Sequence, residues 1–404
     1  MIEEHEDYST KKRGEHSLDP RLRIILILIA VTVVFFFFGL IVPKNMLDEF
    51  AHTGNYGNGY TLAWFINDLT ANVNELFAVF VGDLHAGRNA YDHIISYIVI
   101  LFCGGGLALC GAVYQGTFRN ALVSPSTLGV MRGAGLGMAL WVLLFFDPED
   151  SHGLWFETGT SSVATDPLVS LWNSYGLALC SFVGCVIVVG LVVLVIGTVG
   201  RGSTSGLMMI IAGQIIGAVM GGVTSSIRYY FITVDPDGLQ AQMMMQLQIS
   251  SFYRSYSLID VIAVGTPVIA MFAVVMRYRN QLMLLAFSEE EARAMGVETR
   301  RMRFLIVGLA TLVTAIIVSF CGIVGFVGFM IPHLARRFVG PNFTYLMPLS
   351  MVSGGLFVLA AYILTTMTLG GSYSNMSGMF ISIAGAVVFL VTAIRGVGGK
   401  RGSF

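Results

Sequence analysis

The chain has 404 residues, of which 55% are hydrophobic and only 12% are charged, and its mean hydropathy is +0.76. Soluble domains carry about 25% charged residues, so this composition excludes an ordinary soluble domain and predicts a polytopic membrane protein. The five cysteines lie in apolar segments without Cys-x-x-Cys spacing. They therefore suggest neither a disulfide framework nor a zinc site.

Ten apolar segments predict an all-α membrane fold. A helix needs about 20 apolar residues to cross a bilayer; nine segments approach that length, and the tenth is short and interrupted. In chain order they are 24–42, 94–113, 127–146, 175–199, 207–227, 258–276, 304–320, 326–338 (the short one), 346–367 and 378–394. Residues 62–81 alternate apolar and polar side chains, which predicts an additional helix at the membrane interface.

The distribution of basic residues orients these spans. Alternate threading from a cytoplasmic N-terminus places most of the 23 Lys and Arg residues on the inner side, as the positive-inside rule requires. We predict a cytoplasmic tail over residues 1–21, a membrane domain over 22–396 and a cytoplasmic tail over 397–404. The protein is thus expected in the lipid bilayer of the cell membrane, with both termini inside the cell.

The second span is rich in glycine and ends in polar residues. Closely spaced glycines let helices approach each other in lipid, so we interpret residues 104–111 chiefly as a packing surface. An unpaired amide in hydrocarbon is costly, which predicts that Gln115 and Asn120 face protein or a wet path. Arg132, near the inner end of the next span, either extends to the cytoplasmic surface or has a function within the membrane.

The fifth span has a polar side. Gln214, Thr224, Ser225 and Ser226 recur at near-helical spacing. This pattern favours either the lining of a transport path or hydrogen bonds between helices. Just before this span, residues 198–206 predict a tight cytoplasmic turn.

A hydrophilic segment over residues 285–300 separates the sixth and seventh spans, and we call residues 288–297 the hook. Ser288 followed by Glu291 is a capping box, which predicts the start of a short helix, and Gly296 can end it. Acidic residues in the first turn suit the positive end of the helix dipole. Arginines follow where the chain becomes apolar again, so the hook is expected outside the membrane and close to it.

The apolar run after the seventh span is interrupted by Gly322, Gly325, Gly328 and Pro332. Unwound backbone at membrane depth must be buried in protein or line a cavity. An interrupted span of this kind is typical of a transporter rather than of a membrane anchor.

These motifs resemble those of the iron-siderophore, haem and cobalamin permease family of ABC importers. The hook is similar to the family's coupling-helix pattern E-x-x-A-x-x-[LM]-G-V, and the broken span to G-x-I/V-G-F-V-G-x-x-x-P-H-x-x-R. The end of the second span is similar to G-x-x-x-Q-x-x-x-[RK]-N-P-L-A-x-P-x-x-L-G-V, with matches that include Gln115, Arg119 and Asn120. Ala121 and Ile323 stand where the family has proline.

The resemblance implies a type II ABC importer permease fold and several partners. A separate ATPase that holds Mg-ATP would contact the hook. A second permease copy or a paralogue would complete the path, and an extracellular binding protein would dock on the outer side. Nucleic acid is not among the expected partners. The implied residues are Glu291, Ala292, Met295, Gly296 and Val297 for ATPase coupling, Gln115, Asn120, Ser203, Thr204, Gln214 and Ser225 for the path and its gate, and Arg88, Arg228 and Arg254 for docking.

The same resemblance implies the import of a ferric siderophore, with haem or cobalamin as alternatives for the same architecture. The chain lacks the sequence G-x-x-x-x-G-K-[ST] that holds ATP phosphates, so we expect a transport subunit rather than an enzyme, without catalytic or metal-binding residues or a cofactor of its own. The alternative function, from a different class of transport protein, is that of an ion-coupled secondary transporter. It requires a carboxylate within a span, for which Asp260 is the candidate.

Overall fold

The computed structural model describes residues 19–42, 62–83, 88–121, 123–145, 167–199, 206–234, 256–285, 298–369 and 377–398, together with positions 238, 240–241, 243–244, 252 and 295. Nearly all of this part of the chain is helical. The helices are α1 (Pro20–Ile41), α2 (Leu62–Val81), α3 (Arg88–Thr117), α4 (Val130–Phe145), α5 (Pro167–Val199), α6 (Gly206–Val234), α7 (Leu258–Arg277), α8 (Arg279–Leu284), α9 (Thr299–Cys321), α10 (Val327–Val339), α11 (Phe343–Leu369) and α12 (Ser377–Gly398).

Each of the ten predicted spans corresponds to a helix, which confirms the all-helical membrane fold. Among the described residues, seven helices are long and apolar enough to cross a membrane, namely α1, α3, α5, α6, α7, α9 and α11. Two shorter apolar helices are α4 and the Ser377–Val391 part of α12, and α10 is the short span with 13 residues. Helices α5 and α6 extend beyond the predicted spans because hydropathy detects only the apolar part of a helix.

Helix α3 is the centre of the fold. It packs against α7, α9, α10 and α11, and we call these five helices the central group. The approach of α3 to α11 depends on glycine: a methyl carbon added at Gly105 would lie 2.8 Å from the Met351 carbonyl oxygen, and Gly104 and Gly354 leave no room for a side chain on either. These contacts confirm the interpretation of the second span as a packing surface.

Helices α4, α5 and α6 pack together as a second unit, which we call the three-helix group. A methyl carbon added at Gly133 of α4 would lie 2.6 Å from the Gly184 carbonyl oxygen of α5, and one added at Gly213 of α6 would lie 2.6 Å from the Thr127 carbonyl oxygen just before α4. The three-helix group meets the central group mainly through α9, which packs against α4 and α5.

The chain between α9 and α10 is unwound, as its glycines predict. Gly322 and Phe326 adopt left-handed backbone conformations, with φ of 77° and 63°. Within α10, Pro332 has no N–H, so the carbonyl oxygen of Gly328 lacks its helical donor. That oxygen lies directly against Gly111 of α3, where an added methyl group would overlap it. The broken span is therefore anchored to the central helix, backbone against backbone.

Candidate functional site

Gln115 joins α3 to the broken span. Its side chain is buried, with 1% exposed, and its Nε2 donates a hydrogen bond of 2.8 Å to the Phe329 carbonyl oxygen in α10. Its Oε1 has no partner among the described residues. The structure thus places Gln115 between two helices rather than on an open surface. Asn120, the other polar residue predicted at this end of the span, lies half-buried in the turn that follows α3.

Arg119 ends α3 in an unusual conformation. Its φ is 51°, and the N–H of Asn120 donates to the Gln115 carbonyl oxygen at 3.2 Å. This is the Schellman pattern, with Arg119 at the position that glycine usually occupies. A non-glycine residue in this conformation costs about 1–2 kcal/mol. The Nε of Arg119 donates a hydrogen bond of 2.8 Å to the Leu285 carbonyl oxygen, and this contact fixes the side chain.

Leu285 connects this arginine to the hook. It follows α8, is fully buried, and is the last described residue before the segment that contains the hook. Met295, inside the hook, lies in a turn and is 48% exposed. The other predicted coupling residues, Glu291, Ala292, Gly296 and Val297, lie outside the described residues.

Arg119 was not among the residues that the sequence singled out for the site. Its contact with Leu285 joins two stretches far apart in the chain, which no local pattern displays. A signal was nevertheless present, because Arg119 belongs to the motif around Gln115 and Asn120 that carries the family resemblance.

The polar side of α6 is partly exposed. Gln214 and Ser225 are exposed, whereas the hydroxyls of Thr224 and Ser226 donate to carbonyl oxygens one turn earlier in the same helix, at 2.9 and 3.1 Å. Hydrogen bonds between helices therefore do not account for Thr224 and Ser226. The predicted gate residues Ser203 and Thr204 lie outside the described residues.

Arg132 lies along α6. Its Cγ would be 3.3 Å from a methyl carbon added at Gly217, and its Nη1 would be 3.5 Å from one added at Gly221. The side chain therefore extends towards the middle of α6, away from the first residue of that helix. If α6 begins on the cytoplasmic side, as the sequence predicts, this direction disfavours extension to the cytoplasmic surface, one of the two sequence-based expectations.

The predicted docking arginines lie near helix ends. Arg88 is the first residue of α3 and is exposed, and Arg228 is half-buried near the C-terminal end of α6. Arg254 lies outside the described residues. A docking role for these arginines stays a prediction.

Asp260 has a structural partner in the first turn of α7. Its Oδ2 accepts hydrogen bonds from the backbone N–H of Ser257 at 2.7 Å and from the Ser257 hydroxyl at 2.9 Å. The carboxylate thus caps the helix. This role explains its presence without ion coupling.

Comparison with known proteins decides the family. The FecCD transport family is matched over residues 59–395. The chain belongs to this family. It is similar to the cobalamin import system permease protein BtuC of Halobacterium salinarum, with 30% identity over 287 residues that cover 71% of this chain and 68% of that protein. It is also similar to the Fe(3+)-citrate import system permease protein YfmE of Bacillus subtilis, with 26% identity over 65% of this chain and 69% of that protein.

The fold of this FecCD protein agrees with a solved structure. That structure is an inward-facing conformation of an ABC transporter of proposed metal-chelate type. The match covers 93% of this chain and 99% of the chain in that structure, with a TM-score of 0.67 and 21% identity. The chain is therefore a multi-pass membrane permease of the ABC importer type, a transport subunit and not itself an enzyme.

Proposed function

We propose that this FecCD permease imports a ferric siderophore, with energy from a separate ATPase. The observation that carries the proposal is the family match over residues 59–395, and the similarity to a ferric citrate permease supports an iron chelate as cargo. Two permease subunits, identical or paralogous, enclose the path. An extracellular binding protein delivers the chelate to an outer surface that includes Arg88, Arg228 and Arg254.

The hook receives the motion of the ATPase. In this mechanism Glu291, Ala292, Met295, Gly296 and Val297 contact the ATPase from the cytoplasmic side, where both chain termini also lie. Two hydrogen bonds support a route inward from the hook. The Leu285 carbonyl oxygen accepts from Arg119 at the end of α3, and Gln115, in the last turn of α3, donates to the broken span at Phe329. Movement of the hook is thus transmitted through α3 to α10, the helix that follows the break.

Reconstituted vesicles test the cargo and the energy source. Vesicles that contain the permease and its ATPase, with the binding protein outside, should accumulate radio-iron supplied as a ferric siderophore when ATP is inside. An ATPase with its P-loop lysine replaced is the control and should abolish uptake. Accumulation that persists with this ATPase would contradict the proposal.

Cobalamin is the second candidate cargo, because the similarity to a cobalamin permease reaches 30% identity. The same vesicles, offered radiolabelled cobalamin or haem, separate the candidates. Uptake of cobalamin or haem without uptake of any ferric siderophore would replace the proposed cargo and leave the architecture intact.

The coupling surface has its own test. Met295 is 48% exposed, so Met295→Arg should leave the fold intact while its charge and bulk prevent contact with the ATPase. We expect the ATPase no longer to co-purify with this variant. Asn280→Arg, at an exposed position of α8, is the matched control and should retain the ATPase. Full retention by Met295→Arg would exclude the hook as the coupling surface.

A further inference from the structure

The exposed surface of α6 has two sides of different chemistry. Residues spaced by whole turns share one side of a helix. Gln214, Gly221 and Ser225 form a small and polar stripe that continues to Arg228. The neighbouring side, about 100° around the helix from Gln214, is aliphatic and exposed, as in Ile215, with 61% exposed. The aliphatic side suits lipid or a second subunit, which leaves the polar stripe to face water.

Arg132 adds a positive charge to this polar stripe. Its Nη1 would lie 3.5 Å from a methyl carbon added at Gly221, and the side chain is exposed. Within the described part of the chain no group accepts a hydrogen bond from the guanidinium or forms an ion pair with it. A charge without a partner at membrane depth is expensive, so this position indicates a site that a negative group occupies.

A lipid headgroup does not reach this position. Helix α6 has 29 residues, and Gly221 lies at its midpoint. With a rise of about 1.5 Å per residue, the guanidinium is on the order of 20 Å from either end of the helix. The helix is therefore longer than the hydrocarbon thickness of about 30 Å, and a group beside its midpoint is on the order of 15 Å from the phosphates of either leaflet, which is too far for an ion pair.

The described helices around this position offer no carboxylate that a second copy of this chain could contribute. Helices α4, α5 and α6 contain no Asp or Glu. The acidic residue of α7, Asp260, is engaged at the helix cap with Ser257. A molecule that passes along the stripe is a source that needs no carboxylate from these helices.

We propose that Arg132 binds an anionic oxygen of the cargo on its way through the permease, so that the cargo is a negatively charged chelate. This inference rests on the proposed function, since it assigns a charge class to the imported iron chelate. A guanidinium can donate two parallel hydrogen bonds to a carboxylate or a similar group. The glycines at 217 and 221 keep the groove open beside it, and Gln214 and Ser225 offer further polar contacts.

A cysteine reporter tests the charge of the stripe without any cargo. Ser225→Cys places a thiol about one helical turn beyond Gly221. We compare its reaction rate with an anionic reagent, sulfonatoethyl methanethiosulfonate, and a cationic one, trimethylammonioethyl methanethiosulfonate. Adding Arg132→Gln should lower the ratio of anionic to cationic rates about tenfold. Protein without the reporter corrects for the native cysteines, and Arg23→Gln, at an exposed position of α1, is the charge-matched control.

An unchanged rate ratio in the Arg132→Gln background would overturn the inference. An equal fall in the rate ratio for Arg23→Gln and Arg132→Gln would also overturn the inference, because the fall would then reflect the net charge of the protein.

Transport measurements then test the cargo class. In the reconstituted vesicles, Arg132→Gln should lower uptake of an anionic ferric tris-catecholate at least tenfold, while Arg132→Lys retains part of it and ATP hydrolysis continues. Loss of the ATPase or of the second subunit on purification would overturn the inference in favour of a subunit contact. Equal uptake by wild type and Arg132→Gln would overturn it as well. If wild type carries no ferric chelate but the reporter ratio falls, the proposed cargo fails and the anion site stands.

Discussion

At the scale of single residues, Gly111 and Pro332 act together although they lie on different helices. Pro332 leaves the Gly328 carbonyl oxygen without a helical donor, and Gly111 gives that oxygen space against α3. A carbonyl this close to a glycine Cα is favourable as a weak C–H···O contact. The two residues thus allow a helix that contains proline to pack tightly at the centre of the fold.

Gly111→Ala should destabilise the protein, because its methyl group overlaps backbone that cannot move aside. Overpacking of this kind costs about 1–3 kcal/mol in the free energy of unfolding. The Tm in detergent should fall by several degrees. Gly308→Ala in α9, where an added methyl group meets nothing within 4 Å, is the control and should keep the wild-type Tm. A wild-type Tm for Gly111→Ala would contradict the tight contact.

Arg119 permits a test that separates backbone strain from coupling. Arg119→Gly removes the bond to Leu285 but relieves the left-handed conformation, so its stability should fall by at most about 2 kcal/mol. A hydrogen bond to a charged group contributes about 1.5–3 kcal/mol, and its loss should lower the amount of cargo imported per ATP hydrolysed about tenfold. The measurement is radio-iron uptake together with phosphate release in vesicles. Wild-type uptake by Arg119→Gly would show that the contact has no role in coupling.

At the scale of elements, helix α7 begins at a cap formed by Ser257 and Asp260. Asp260→Ala removes both hydrogen bonds from Ser257 and should cost about 1 kcal/mol in the free energy of unfolding, seen as a lower Tm. Ser257→Ala, which removes only the hydroxyl bond, should cost less.

Transport measurements on two variants of Asp260 separate an ABC importer from an ion-coupled transporter. Uptake by Asp260→Ala should remain ATP-dependent and insensitive to a protonophore. If Asp260→Asn kept its stability but lost all uptake, the carboxylate would have a transport role that a helix cap does not explain.

The elements were largely predictable from the sequence, and their contacts were not. Apolar length identifies nine of the ten spans, and the glycines at 322 and 325 mark the break before the short one, α10, because helix formation in lipid depends on local composition. The direction of Arg132 depends on the groove that Gly217 and Gly221 leave on another helix. Likewise, the bond from Arg119 to Leu285 requires the whole fold. Neither contact has a local pattern.

At the scale of the whole molecule, eight of the twelve described helices form two packed units. The central group is held by glycine contacts such as Gly105 against Met351. The three-helix group carries Arg132 and the polar stripe, and meets the central group mainly through α9. Tyr175 of α5 and Phe320 of α9 are part of this joint, with ring centroids 6.4 Å apart. We expect the path to open and close by relative movement of the two units at this joint.

A reversible crosslink tests this movement. Cysteines at positions 175 and 320, joined by a short cleavable bis-maleimide, should stop uptake, and cleavage of the linker should restore it. A second pair at positions 36 and 97, where the rings of Phe36 and Tyr97 are 5.8 Å apart across α1 and α3, is the control and should leave uptake unchanged on crosslinking. Normal uptake by the crosslinked 175 and 320 pair would exclude movement at this joint.

The Arg132 guanidinium lies beside the middle of α6 and has no partner in the part of the chain that the structure describes, which also has an electrical consequence for the resting transporter. Two identical subunits around one conduit would each contribute this positive charge, with no acidic residue on α4, α5 or α6 to neutralise it. A low-dielectric surrounding strengthens such a field, so the empty conduit would repel sodium, protons and uncomplexed metal ions. The residue that attracts an anionic chelate would thereby also protect the membrane potential against leak between transport cycles.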